Sequence, residues 1–384
     1  MARFGGAVAA LWIAGSSLCG CADSSYHSYE RQRVGTTTAL AAIEAAGGHA
    51  EPNFGMVMPS LLAQITLGEK WRAANDGLVL LQGVRRVDEL TLDKPTINEA
   101  GLDHLVKVPE LIALHFKRTV ATDDALKRLR GVRGLRVLTL DGSRITDAGL
   151  EALAGHDLMW LVVNNKSGIT DAGLEHLRGM KRLISLKLEG AQVTGPGLAA
   201  LADLQELRDL DLSGTAVSDD ALVHLRDLGK LTILNLSRTK VSGPGLVHLK
   251  NLPRFDQLIL DGTPIADAGL RHLAGADRPK SLSLNHTAIT DEAAACLKDL
   301  KGLEFLALDS TKATEAIIPK LKDLPRLKAV IVAGKTVAPV NRAGPRQGRL
   351  LHSGTPLDRH LLLTLSWSSL ITPIPLLHDS RWSP

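Results

Sequence analysis

Leucine and its aliphatic relatives recur along this chain at two alternating spacings. In Leu135-Arg-Val-Leu138-Thr-Leu140 apolar and polar residues alternate around Leu138 and Leu140, which predicts a short strand with one leucine face turned inward. In Ile145-Thr-Asp-Ala-Gly-Leu150-Glu-Ala-Leu153 the two leucines are three apart after a Thr-Asp pair, which predicts a short helix with one buried stripe. The same order returns in Leu207-Arg-Asp-Leu210-Asp-Leu212 and the Val217-Ser-Asp-Asp-Ala-Leu222-Val-His-Leu225 that follows. Aligned on itself, the chain places Leu90, Leu114, Leu138, Leu161, Leu186, Leu210, Leu234, Leu258, Leu282, Leu306 and Val330 in one column. Every step is 24 residues except one of 23 and one of 25. A fixed period of this length marks a solenoid, in which each repeat buries its apolar rows only by stacking on its neighbours.

The expected product is an α/β solenoid of about eleven coils over residues 87–337. Its strands form a parallel sheet on the concave face and its short helices form the convex layer, because helices are wider than strands. Thr146, Thr170, Thr194, Ser218, Ser242 and Thr290 stand at the heads of the helices, where a hydroxyl accepts a bond from a free backbone N–H. Asp147, Asp171, Asp219, Asp267 and Asp291 come next, favourably placed against the positive end of the helix dipole.

The pattern Leu-x-x-Leu-x-Leu-x-x-Thr-x-Ile-Thr-Asp-x-Gly-Leu-x-x-Leu, sustained from Glu89 to Val337, resembles leucine-rich repeats of the cysteine-containing and GALA-like subclasses. These are known from F-box leucine-rich repeat proteins and from many bacterial repeat proteins. The resemblance implies a horseshoe that binds other macromolecules on its concave face and carries no cofactor. No F-box precedes the repeats, and Thr or Ser stands where those relatives often have Cys. A ubiquitin-ligase role is therefore not implied, although an intracellular adaptor similar to the F-box substrate-binding arm remains an alternative.

The chain's 68 leucines against 12 aromatic residues fit a repeated aliphatic core. The net charge of +4 comes without any run of five or six like charges, so no nucleic-acid footprint is evident. At the start, Arg3 precedes an apolar stretch from Phe4 to Gly15, the plan of a signal peptide over residues 1–20. Leu18-Cys19-Gly20-Cys21 resembles a bacterial lipobox, which implies that Cys21 carries the lipid. The implied address is extracytoplasmic, a lipoprotein of the periplasm or cell surface held to the membrane only through its anchor, with plain secretion as the alternative. Residues 21–37 read as a tether and 38–86 as an N-terminal cap, including a helix from Thr38 to Ala46 stopped by Gly47-Gly48. Residues 338–384 form a tail that starts with a Pro/Gly/Arg-rich linker from Ala338 to Asp358. Leu361 to Leu377 then carries no charge, and reads as a cap, a poorly ordered end or a very short span.

Residues flanking the buried strand leucines face the concave side in three columns, through Asp209, Asp211 and Ser213 in one coil and their equivalents in the others. Eight acids meet two lysines there, which favours a basic protein or peptide as partner. Trp160, Val162, Lys187, Glu189, Asp209 and Asp211 occupy three consecutive coils and are the candidate ligand-binding residues, with the aromatic as anchor. Two plainer readings stand beside this one: third-column Asp and Asn bond to the following turn, and Trp160 packs locally. Asn164 to Gly168 forms an irregular loop, and His104, His176, His224, His248 and His272 repeat on the outer helices as a copied surface position. No metal is expected. The chain lacks a Gly-x-x-x-x-Gly-Lys-Ser/Thr loop, a Gly-x-Ser-x-Gly elbow, His-Glu-x-x-His and Cys-x-x-Cys, so no enzymatic activity is expected either. A structural envelope component without one defined ligand is the second functional reading.

Overall fold

The computed structural model describes residues 35–53, 62–94, 97–118, 121–132, 134–163 and 168–337. Cys21, the irregular loop at 164–167 and the tail from 338 onward lie outside them. The first strands are β1 (His49–Asn53), β2 (Leu62–Leu67), β3 (Arg86–Asp93), β4 (Leu111–Lys117), β5 (Val137–Leu140), β6 (Trp160–Val163) and β7 (Ser185–Lys187). They are followed by β8 (Asp209–Asp211), β9 (Ile233–Asn235), β10 (Gln257–Ile259), β11 (Ser281–Ser283), β12 (Phe305–Leu308), β13 (Ala329–Val332) and β14 (Lys335–Val337). All fourteen join one sheet in chain order. Only the outer pairs, β1 with β2 and β13 with β14, run antiparallel. The molecule is an α/β solenoid horseshoe.

The leucine column sets the register. Leu210 pairs with Leu186 on one side and Leu234 on the other, so the inward residues of successive coils stack without offset. The parallel run begins one strand before Leu90, because Ile65 of β2 pairs with Leu90 of β3. Residues 35–45 are helical, and the chain leaves that helix through Gly47 at φ +92. Gly47 packs against the Lys70 carbonyl, where a Cβ would lie 2.0 Å from the oxygen. With Ile43, Leu67 and Trp71 buried beneath it, this segment covers the first coil.

Inside four consecutive coils a polar row is sealed. Thr215, Thr239, Thr263 and Thr287 are buried. Their hydroxyls donate to the carbonyls of Leu212, Leu236, Leu260 and Leu284, each three residues back, at 2.5–2.7 Å. A threonine at this turn therefore buries without an unpaired hydroxyl.

On the convex side the segments are short and mixed in type, α-helical at Asp123–Leu129 and Asp147–Leu153 but 3-10 at Pro196–Leu201, Asp219–Leu225 and Pro244–Leu249. Thr146, Thr170 and Thr290 cap as expected, accepting bonds from Ala148, Ala172 and Glu292 N–H. Thr194 and Ser242 do not, because Gly195-Pro196 and Gly243-Pro244 move the helix start one residue on, and Ser218 makes no side-chain cap bond.

The aspartates do more than face a dipole. Asp147 accepts from the backbone N–H and the hydroxyl of Thr170, one coil onward, at 2.8 and 2.7 Å. Asp123 holds Thr146, Asp171 holds Thr194, Asp219 holds Ser242, Asp267 holds Thr290 and Asp291 holds Thr314 in the same way. Each carboxylate is thus a rung between neighbouring coils. The row is interrupted where Gly195 faces Ser218 and where Gly243 faces Ala266, since glycine offers no carboxylate. At the second of these steps the backbones close up instead: a Cβ on Gly243 would lie 2.3 Å from Gly269 Cα.

Candidate functional site

The concave columns follow from strand alternation: residues on either side of each inward leucine project from the sheet. Val137, Trp160 and Ser185 are partners in register across β5, β6 and β7, as are Thr139, Val162 and Lys187. Trp160 and Val162 are half-buried, whereas Val137 and Ser185, on either side of Trp160, are buried. An aromatic therefore stands on this face between two sunken neighbours.

One coil on, the charged candidates form a network. Asp209 accepts a 3.0 Å bond from the Ser185 hydroxyl, and its carboxylate lies 3.8 Å from Lys187 Nζ. Burial raises the Asp209 pKa above the usual carboxylate value; Lys187 and the Ser185 bond oppose the shift and the nearby Asp211 charge adds to it. Asp211 is held by neutral donors, the Ser213 N–H at 2.8 Å and the Asn235 amide at 3.1 Å. Glu189 accepts a 2.9 Å charged bond from Arg238, two coils away. The structure thus joins Lys187 to Asp209 directly and Asp211 to Asn235. It places Glu189 at the rim with Arg238, and Trp160 with Val162 on the strand before.

Arg238 did not emerge from the sequence columns. It occupies the turn after the third column, where the backbone is left-handed: Gly142, Gly190, Gly214, Gly262 and Gly334 fill this position at φ of 65–73, and Lys94, Arg118, Arg238, His286 and Ser310 adopt it at 49–57. The recurring glycine was the available signal, because a non-glycine in that register must project from the rim. This column changes the electrostatics of the face. Arg118 clamps Asp93 with two 2.7 Å bonds, and this contact, ahead of the opposing effect of burial, holds the Asp93 pKa below its usual value. The concave face is therefore less acidic than its three columns alone suggest; among the described residues Asp141, Asp211, Asp261 and Asp309 are its column acids with no Lys, Arg or His ion pair, three of them from β8 onward.

The plainer reading of the third column is met in a modified form. Asp261 accepts from the Asn285 N–H at 2.9 Å and the Ser283 hydroxyl at 2.6 Å, and Asn285 accepts from the Asp309 N–H at 2.8 Å. These bonds run to the next coil and not to the residue's own turn. At the N-terminal end His115 lies 3.8 Å from Glu89 and 3.0 Å from the Thr139 hydroxyl. Burial lowers its pKa and Glu89 opposes that shift. Among the described residues no group of three or more His, Cys, Asp or Glu is arranged to hold a metal ion, and no helix is long and apolar enough to cross a membrane. Ala333-Gly334 forms the turn between β13 and the antiparallel β14, which Lys335 and Thr336 begin.

Residues 135–154, one coil, match the family model described as Leucine Rich repeat. A comparison with curated proteins finds no match. Among solved structures the chain is similar to an internalin, inlF, of Listeria monocytogenes, with 19% identity and a TM-score of 0.47 over 70% of this chain and 86% of that one. It is also similar to internalin C2 of the same species, with 25% identity and a TM-score of 0.40 over 55% and 83%. A plant peptide hormone receptor, RGFR1, solved in complex with RGF2, is similar at 13% identity and a TM-score of 0.43. That match covers 66% of this chain and 49% of the receptor. By its period, its stacked coils and the family match within one of them, the fold is a leucine-rich repeat horseshoe.

Proposed function

We propose that this is a non-enzymatic binding module that holds a protein or peptide with a basic segment on its concave face. In the same reading Cys21 carries a lipid that anchors the module on the extracytoplasmic side of a membrane, at the cell surface or in the periplasm. Trp160 and Val162 supply the apolar contact, and Lys187, Glu189, Asp209 and Asp211 supply charge and register. The observation that carries this reading is Trp160, a half-buried aromatic on a sheet face whose neighbours in register are sunken. An aromatic anchor beside a polar network is the usual composition of a binding hot spot. The acids that lack a cation attract a basic partner and set its orientation more than its affinity.

The test is a crosslinking capture from envelope extract with the full chain beside a Trp160→Ala/Asp209→Lys/Asp211→Lys variant. Recovery of one protein by the unaltered chain, and its loss by a variant that still shows the parent's circular dichroism, is the expected result. Equal recovery by both chains, or none, removes the concave-face receptor and leaves an envelope component without one defined ligand. The anchor is tested separately by labelled palmitate, whose incorporation should vanish with Cys21→Ala.

A further inference from the structure

The two halves of the concave sheet differ in their middle column. In the N-terminal half Thr91, His115, Thr139, Val162, Lys187 and Asp211 are half-buried and stand up from the sheet. In the C-terminal half Asn235, Ile259, Ser283 and Ala307 are only 8%, 4%, 4% and 2% exposed. This sunken column makes a trench from β12 to β9, with Phe305 and Ile233 along one wall and Asp309 and Asp261 along the other. It ends at β8, on Asp209 and Asp211. Among the described residues, Asp211, Asp261 and Asp309 are held by neutral donors, so the trench keeps negative charge available. Its other end lies beside β13 and β14, and Val337 is the last residue of β14.

Residues 338–349 read Ala-Pro-Val-Asn-Arg-Ala-Gly-Pro-Arg-Gln-Gly-Arg, and no acid follows until Asp358. We propose that this segment folds back along the trench of its own molecule and occupies the acidic centre of the concave face until a partner displaces it. It has the chemistry the trench selects. Ala, Gly and Pro fit a floor one strand wide, and Arg342, Arg346 and Arg349 supply guanidinium groups that pair in fork geometry with carboxylates.

The spacing agrees with the charge. Strands in a sheet lie about 4.8 Å apart, which puts β10 about 19 Å, β8 about 29 Å and β6 about 38 Å from β14. An extended Pro-containing segment advances about 3.1–3.4 Å per residue. Arg342, five residues past Val337, then reaches about 16 Å, between β11 and β10, next to Asp261. Arg346, at nine residues, reaches about 29 Å, at Asp209 and Asp211. Arg349, at twelve, reaches about 39 Å, at the Trp160 ring, where a guanidinium makes a cation–π contact. The segment would thus cover the residues of the proposed binding site, and the proposal rests on that reading only for what displaces it.

The experiment is zero-length carbodiimide crosslinking of full-length Arg342→Lys and Arg346→Lys chains, with the products mapped by mass spectrometry. Links between Lys328 and Glu304 and between Lys230 and Glu206, both 2.5 Å apart, report that the reagent worked on the folded coils. The expected result is a link from position 346 to Asp209 or Asp211 and from position 342 to Asp261, within single chains. The first should be lost in Asp209→Asn/Asp211→Asn. Control links without either of these overturn the proposal. Links found only between isotope-labelled and unlabelled chains overturn it too, because the segment then lies on a second copy. As a second readout, an Arg342→Glu/Arg346→Glu/Arg349→Glu chain should bind a fluorescent synthetic peptide of residues 338–349 about tenfold more tightly than the unaltered chain, a change of about 1.4 kcal/mol; equal affinity counts against self-occupation. No partner enters either measurement, so a link without envelope capture sinks only the receptor reading, and capture without a link sinks only this one.

Discussion

The convex helix starts and the concave strand columns belong to the same coils, yet they treat repetition oppositely. On the convex side an acid at one position binds a hydroxyl residue 23 positions later, from Asp123–Thr146 to Asp291–Thr314. Even the interruptions are paired, with glycine facing Ser218 and Ala266. On the concave side the equivalent positions are Trp160, Ser185, Asp209, Ile233 and Gln257, with no shared chemistry. A row that repeats serves the stack, because every coil needs the same attachment to the next. A row that does not repeat is free to be shaped by something outside the stack, and that is where a binding site belongs.

Beneath both rows lies the leucine core, and breaking it sets the upper scale. Leu210→Ala and Leu258→Ala remove fully buried side chains and should each cost ~2–5 kcal/mol in urea unfolding. The two costs should agree although the concave residues above them differ. The glycine interruptions come next. Gly243→Ala forces φ +134 on a residue with a Cβ and drives it against Gly269, so it should cost ~1–3 kcal/mol or more. Gly195→Ala, at φ +152, meets the Ala221 Cβ at 3.0 Å and no backbone atom nearer than 3.8 Å, so it should cost less. Equal losses at the two sites would mean that close backbone approach does not replace the missing rung.

The rungs should follow at ~0.5–1.5 kcal/mol each, the net worth of hydrogen bonds whose donors are exposed or half-buried. Asp219 accepts from Ser242 N–H and hydroxyl, Gly243 N–H and Gly245 N–H, so Asp219→Ala should cost more than Asp147→Ala, which loses two bonds. Burial works against the Asp171 and Asp219 charges, but the bonds they accept outweigh it and lower both pKa values below 3.8. Asp291 is lowered chiefly by the Thr314 N–H. Acids shifted down stabilise the fold above the unfolded value of 3.8 and lose that contribution as pH falls through their lower folded values. Unfolding midpoints should therefore drop below about pH 4 in the unaltered chain and drop less in Asp219→Asn.

The strand and helix periods were legible because leucine spacing is local and each coil restates it. The rungs were not, since a bond across 23 residues depends on the stacking register; Asp followed at that distance by Thr or Ser was visible only once coils were laid side by side. The Glu189–Arg238 pair was harder still. It spans two coils and exists because Ser213 and Gly214 between them are small. Five of the six candidate residues lie on strands where the alternation put them and Glu189 falls in the turn after β7, but how they pair depends on side-chain reach, which no period encodes.

The smallest effect distinguishes the two rows most sharply, because it is one of sign. Burial raises the Asp209 pKa above 3.8 despite Lys187 and Ser185, so in the folded chain its charged form is the disfavoured one. Such a group costs stability at neutral pH, and the cost disappears as pH falls through the raised value toward 3.8. Asp209→Asn should then stabilise the protein by ~0.5 kcal/mol at neutral pH and leave it unchanged in acid, whereas Asp219→Asn should destabilise at neutral pH and converge with the unaltered chain in acid. Paired urea titrations of both variants across that range decide the matter. If Asp209→Asn also destabilises, Asp209 is one more attachment between coils, and the concave acids belong to the scaffold. If it stabilises, the solenoid carries a charge that its own fold does not need, which is the property expected of a residue kept for a ligand.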